Sequence, residues 1–206
     1  MNKNIKLLIL INDLSFFYSH RLPIAIASKS EGFDVVIGYG ELGGADPKIL
    51  TNKGIKLNHV PMLRGKFNLF KDLKTIFNIW YLFRKEKPNI VHLVTIKPYL
   101  YGGIISRLAG IKSTVSAVTG LGSLFLQDNL RSKIIRLILS PIFKIAFNHT
   151  NQKIILQNND DANFLIKWGV LSTNLTSAIL ILGVLISGLI VWFGFAKKHS
   201  IPVKDT

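Results

Sequence analysis

The stretch Val115–Phe125, read V-S-A-V-T-G-L-G-S-L-F, constrains the fold of this chain more than any other. A short apolar run ends in Thr119-Gly120-Leu121-Gly122, and a helix-like segment follows. In an α/β protein this is the carboxyl end of a strand turning toward a helix. Ligands bind at such ends, where backbone N–H groups are free and glycine lets a substrate come close.

The residues before it alternate between strand and helix. Leu7–Ile11 reads as a first, buried strand and not as a signal peptide, because Asn12-Asp13 follows at once with no small-residue cleavage site. A loop then leads to a helix expected to begin near Ser19 or His20, with Ser19 as its cap. Strands are expected at Val35–Tyr39, Ile55–Val60, Ile90–Val94, Ile111–Val118 and Lys153–Gln157. Helices are expected at Pro47–Lys53, within Arg64–Lys87, at Leu100–Ala109, at Leu130–Ala146 and at Ala162–Trp168. Pro141 is expected to kink or break the fourth of these. The Asn158-Asn159-Asp160-Asp161 run caps the last, and Gly169 ends it. This pattern predicts an α/β fold, a Rossmann-like parallel sheet with flanking helices.

The chain has 206 residues and a formal charge of +15, which points to nucleic acid, an anionic membrane surface or a phosphorylated substrate. No nucleic-acid-binding motif accompanies the charge, so nucleic acid is not the expected partner. Many of the basic residues sit on greasy helical segments. In Arg64–Lys87, Leu69, Leu73, Ile76 and Trp80 recur at helical spacing among Lys71, Lys74, Arg84 and Lys85. Such a helix can lie on an anionic membrane or pack on the sheet with its basic face solvated. The glycine-rich Gly40–Asp46 stretch lacks the dinucleotide-binding order, so an NAD-dependent enzyme is not expected. Cysteine is absent, which excludes disulfides and thiolate metal sites. No cofactor and no metal are expected.

The candidate site residues all follow expected strand ends. Ser19, His20 and Arg21 lie beside a helix start, where a phosphate or a sugar hydroxyl can be held. Lys97 follows the fourth strand, and Thr119, Gly120, Leu121 and Gly122 follow the fifth. His92, inside the fourth strand, reads as a hydrogen-bonded core histidine. The catalytic residue is not identified.

Five segments carry a family resemblance. They are Phe16–Pro23; Lys87-Pro88-Asn89-Ile90-Val91-His92; Lys97-Pro98 with Tyr101-Gly102; Val118–Gly122; and Ile154–Asp161. In this order they resemble the N-terminal half of the family-4 glycosyltransferases of the GT-B fold, of the kind that build bacterial O-antigens and capsules. The resemblance covers about residues 1–174. It implies a Rossmann-like acceptor domain acting with a nucleotide-sugar donor. It also implies a polyprenyl-diphosphate-linked glycan acceptor at the cytoplasmic face of the inner membrane. A histidine common after the fifth strand of such enzymes is replaced here by Thr119-Gly120-Leu121-Gly122, so no general base is assigned there.

The resemblance stops where a second, donor-binding domain would begin. Ser177–Ala196 is instead an uncharged apolar run followed by Lys197-Lys198 and a short basic tail to Thr206. It is expected to form a hydrophobic helix, long enough for one membrane span. The alternative is a shifted reading frame. Codons for Leu182–Ser187 can be chosen that, read two bases on, spell Gly-Ser-Val-Asp-Ile, close to the G-S-G-V-D stretch due there in the family. Two functions follow. One is a glycosyltransferase acceptor half, inactive alone. The other is a membrane-anchored, non-catalytic acceptor subunit that recruits a separate donor-binding subunit.

Overall fold

A computed structural model describes residues 5–63, 68–119, 130–171 and 178–180. Its centre is a parallel sheet in the order β3-β2-β1-β4-β5-β6-β7. The strands are β1 (Lys6–Asp13), β2 (Asp34–Glu41), β3 (Lys56–His59), β4 (Ile90–Val94), β5 (Ser113–Val118), β6 (Gln152–Leu156) and β7 (Ala178–Leu180). The helices are α1 (Leu14–His20), α2 (Leu22–Ser30), α3 (Lys48–Thr51), α4 (Leu69–Glu86), α5 (Gly103–Leu108), α6 (Leu130–Ala146) and α7 (Asn159–Lys167), with a π-helical turn at Pro98–Gly102 before α5.

The central strands β1 and β4 are apolar on both faces because helices cover both. Leu8, Leu10, Val91 and Leu93 join one core, under α4 and α6, with Ile79, Leu82 and Phe143. Leu7, Ile9, Ile11, Ile90 and Val94 join the other, with Phe17 of α1 and Ile24 of α2. Register follows this alternation, with Ile9 opposite His92 and His92 opposite Val115. Close packing fixes the α5–α6 crossing. A Cβ on Gly103 would lie 2.6 Å from the Ala146 carbonyl oxygen, so only glycine fits there.

The structure corrects several expectations. The segment after β1 is no loop. Asp13 caps α1 by accepting from the Phe16 N–H at 3.1 Å, while Leu14 and Phe17 turn into the core. Ser19 therefore lies in the last turn of α1 and caps nothing; its hydroxyl donates back to the Ser15 and Phe16 carbonyls. Helix α6 runs unbroken through Pro141. The carbonyl that Pro141 leaves without its helical partner belongs to Leu137, which is exposed, so water satisfies it.

In α4 the buried face is Asp72, Thr75, Ile79, Leu82, Phe83 and Glu86. Leu69, Leu73 and Trp80, expected on the same face as Ile76, point outward. The expected C-terminal hydrophobic helix is not found. Ala178–Leu180, inside the segment, pairs with β6 as a parallel strand, and residues 181–206 lie outside the described residues. Among the described residues no helix is long and apolar enough to cross a membrane.

Candidate functional site at the carboxyl edge of the sheet

The chain winds one way from β1 to β2 and β3, then crosses back through α4 to β4 on the other side of β1. The carboxyl ends of β1 and β4 are therefore the topological switch point, where a crevice opens in sheets of this kind. Asn12 and Asp13 form one lip, and Thr95–Lys97 the other. Thr119 follows β5 next to them, half-buried; Gly120, Leu121 and Gly122 lie outside the described residues.

On the β1 lip, Asp13 Oδ1 accepts from the Ser15 hydroxyl at 2.6 Å as well as from the α1 backbone. Gly43, from the loop after β2, closes over this pair. Its φ is +58°, and a Cβ there would lie 2.6 Å from Asp13 Oδ1. On the β4 lip, Thr95 has φ +76°, a left-handed conformation that a β-branched residue adopts only under strain. Its carbonyl accepts from Tyr99 N–H at 3.1 Å, which starts the π turn.

Lys97 does not project freely into the crevice. It is buried, and its ammonium lies 2.6 Å from Asp72 Oδ1 at the start of α4. The other carboxylate oxygen accepts from Asn68 N–H at 2.8 Å. Tyr101 also donates to Asp72; burial, the Asp72 charge and this hydrogen bond all push the phenol pKa up. The pair ties the β4 lip to α4.

Ser19, His20 and Arg21 lie on the opposite side of the sheet, at the α1–α2 junction. His20 stacks on Phe16 with ring centroids 4.1 Å apart, and its Nδ1 lies 2.6 Å from the Ser19 hydroxyl. Both residues are exposed. Arg21 is half-buried and donates to the His20 carbonyl at 3.0 Å. Burial lowers its pKa, and its guanidinium acts electrostatically on His92. His92 is fully buried. Desolvation first, then the Arg21 charge, hold its pKa down to about 3, against a backbone hydrogen bond at Val115. Its imidazole is neutral and a poor proton acceptor at neutral pH, so it is not the general base.

The structure thus divides the candidate set. The Lys97 and Thr119 segments share the edge of the sheet. Arg21 turns to His92 above one face, and Lys97 turns to Asp72 under the other. Asp13, Ser15, Asp72, Thr95 and Tyr101 were missed in the sequence. Only Asp13 left a local signal, an Asp three residues before a helical position with Leu14 and Phe17 at helical spacing. Among the described residues no cluster of His, Asp or Glu is placed to hold a metal ion.

Comparison with known proteins adds a further line. Residues 6–158 match a family model described as glycosyl transferase 4-like. The UDP-Gal:alpha-D-GlcNAc-diphosphoundecaprenol alpha-1,3-galactosyltransferase of Escherichia coli is 29% identical over 131 residues, 64% of this chain and 32% of that protein. The N,N'-diacetylbacillosaminyl-diphospho-undecaprenol alpha-1,3-N-acetylgalactosaminyltransferase of Campylobacter jejuni is 22% identical over 155 residues, 74% of this chain and 40% of that protein. Among solved structures, the lipopolysaccharide outer core galactosyltransferase WaaB superposes with a TM-score of 0.57 at 11% identity, over 85% of this chain and 44% of that one. The chain thus spans between 32% and 40% of the length of these two curated relatives.

Proposed function

The chain belongs to the glycosyl transferase 4-like family, and from that premise we propose that it is the acceptor-binding half of a glycosyltransferase. The enzyme would move a sugar from a nucleotide-sugar to a glycan carried on a polyprenyl diphosphate. Both relatives described above are named for diphosphoundecaprenol acceptors, and the work would take place at the cytoplasmic membrane surface. The observation that carries this reading is the family match over residues 6–158, which includes the crevice between β1 and β4.

In this reading the acceptor lies along the carboxyl edge. Arg21 offers a guanidinium to its diphosphate, with Ser19 and His20 beside it. The segment Thr119–Gly122 lets the acceptor sugar approach the backbone. Lys97, neutralised by Asp72, shapes the β4 lip. Donor binding belongs to a further domain or to a separate subunit. The second function, an anchored acceptor subunit that recruits such a partner, draws on the partial coverage of the relatives and on the apolar segment 177–196.

The test is calorimetric titration of the 206-residue chain with a short-chain polyprenyl-diphosphate-linked GlcNAc. Binding that weakens about tenfold in Arg21→Ala supports the reading, that being the scale of one charge-assisted hydrogen bond. An acceptor that does not bind, or that binds the variant equally, overturns the assignment of Arg21.

A further inference from the structure

The large apolar side chains left exposed are concentrated on one layer of the molecule. Along α4, Leu69, Leu73, Phe77 and Tyr81 recur every fourth residue, with Phe70 beside them, and all are exposed. This stripe runs opposite the face that packs on the sheet, so α4 is apolar on two sides. Helix α6 repeats the arrangement with Leu130, Ile134, Leu137 and Ile138, all exposed. Helix α5 lies between the two and exposes Leu108.

Charge on this layer has one sign. Exposed Lys71, Lys74, Arg84 and Lys85 border the α4 stripe, and exposed Lys133 and Lys144 border that of α6. The two carboxylates of α4 are both buried, Asp72 on Lys97 and Glu86 on Lys6 and Lys56. Helices α5 and α6 contain no Asp or Glu. A face that is apolar along its ridges and cationic at their margins, with no outward carboxylate, is complementary to a bilayer carrying anionic lipid. A protein partner would need an acidic rim around an apolar groove; a bilayer supplies both over any area.

The ridges also have a direction. Crossover helices of a parallel sheet run antiparallel to its strands, so the N-termini of α4 and α6 lie at the carboxyl edge. Exposure is high there: Leu69 73%, Phe70 82%, Leu130 75%. The far end of α4 carries Trp80, Tyr81, Arg84 and Lys85, residues that favour the headgroup level.

We propose that the α4–α5–α6 layer is a monotopic membrane-docking face that lies on anionic lipid with the carboxyl edge dipped deepest. The inference deepens the functional reading by naming the surface that meets the membrane. The crevice between β1 and β4 would then open at the headgroups, where a lipid-borne diphosphate resides.

The chain has no cysteine, so a single introduced thiol reports one position. Phe70→Cys, Leu137→Cys and, as the control, Ile49→Cys on α3 are labelled with a polarity-sensitive fluorophore. Each full-length variant is mixed with phosphatidylcholine vesicles with and without 30% phosphatidylglycerol, about that fraction matching an anionic leaflet. The expected result is a blue shift at residues 70 and 137 with anionic vesicles only, and none at residue 49. In a second arm, Lys71→Gln/Lys74→Gln/Lys85→Gln weakens vesicle binding by about a hundredfold at low salt.

Equal shifts at all three positions, or unchanged binding of the triple variant, would assign the membrane contact to the apolar segment 177–196 and overturn the proposal. A shift at residues 70 and 137 in buffer that grows with protein concentration would mark self-association and also overturn it. None of these readouts uses acceptor binding or sugar transfer, so the glycosyltransferase reading stands or falls separately.

Discussion

Lys97 Nζ lies 2.6 Å from Asp72 Oδ1, and both side chains are buried at the carboxyl edge of the sheet. The contact joins the lip of β4 to the first turn of α4, and Asn68 and Tyr101 complete the hydrogen bonding of the carboxylate. It turns a lysine that reads as a ligand-binding cation into a structural one.

Removing one partner strands the other. Asp72→Ala leaves the Lys97 ammonium buried without this carboxylate and is expected to cost about 3–5 kcal/mol of stability. The double variant Asp72→Leu/Lys97→Met is expected to recover most of that loss, because no unpaired charge remains. Urea unfolding of the three proteins measures both. Similar stability of the single and double variants would show that the pair is not coupled.

His92 predicts a pH dependence. Its pKa in the folded protein, about 3, lies below the unfolded value of 6.5, so the unfolded chain binds the proton first. The stability associated with neutral His92 is fully present above pH 6.5 and is lost as pH falls toward 3. His149 is shifted in the same direction, chiefly by burial, and adds to the slope. Replacing His92 by Leu is expected to remove about one proton's worth of slope, about 1.4 kcal/mol per pH unit, between pH 5 and 6. Equilibrium unfolding across that range checks it. An unchanged slope would mean that His92 is protonated in the fold.

The β1 lip is held by Asp13. Losing its cap in Asp13→Ala is expected to cost about 1 kcal/mol. Gly43→Ala is expected to cost more than 1 kcal/mol, since it puts a side chain at positive φ and drives a Cβ against the same carboxylate. Thermal melts of the two variants and of Asp13→Ala/Gly43→Ala test whether they act at one place. Strictly additive losses would place the Gly43 strain elsewhere.

Sugar transfer by these 206 residues alone is expected to be absent. Catalysis needs donor and acceptor held together in near-attack geometry, and the chain spans no more than 40% of the two curated relatives described above. A radiolabelled transfer assay with UDP-sugars and a polyprenyl-diphosphate-linked GlcNAc measures it. Steady turnover without a partner would show that the donor site lies within this chain.

Much of the architecture was legible in the residues because it depends on local periodicity. Continuous apolar runs such as Leu7–Ile11 and Ile90–Val94 suit a strand covered on both faces, and each forms one. Asn158 announced its helix by side-chain chemistry alone, and it caps α7 by accepting from Asp161 N–H at 2.7 Å. The site was less legible. Whether Lys97 meets a ligand or Asp72 depends on a contact across 25 residues that exists only once α4 has crossed back over β1. The Arg21 charge reaches His92 only because α1 and α2 fold over β4 from the other side. Both faces of α4 are apolar, and periodicity does not say which one the sheet covers; the buried pairing of Glu86 with Lys6 and Lys56 helps fix that rotation. Backbone geometry and side-chain size act within a few residues, so the chain itself determined its elements and most of their limits. The partners of its charges were decided by tertiary assembly, since a buried charge takes whatever opposite charge the packed layers bring within reach.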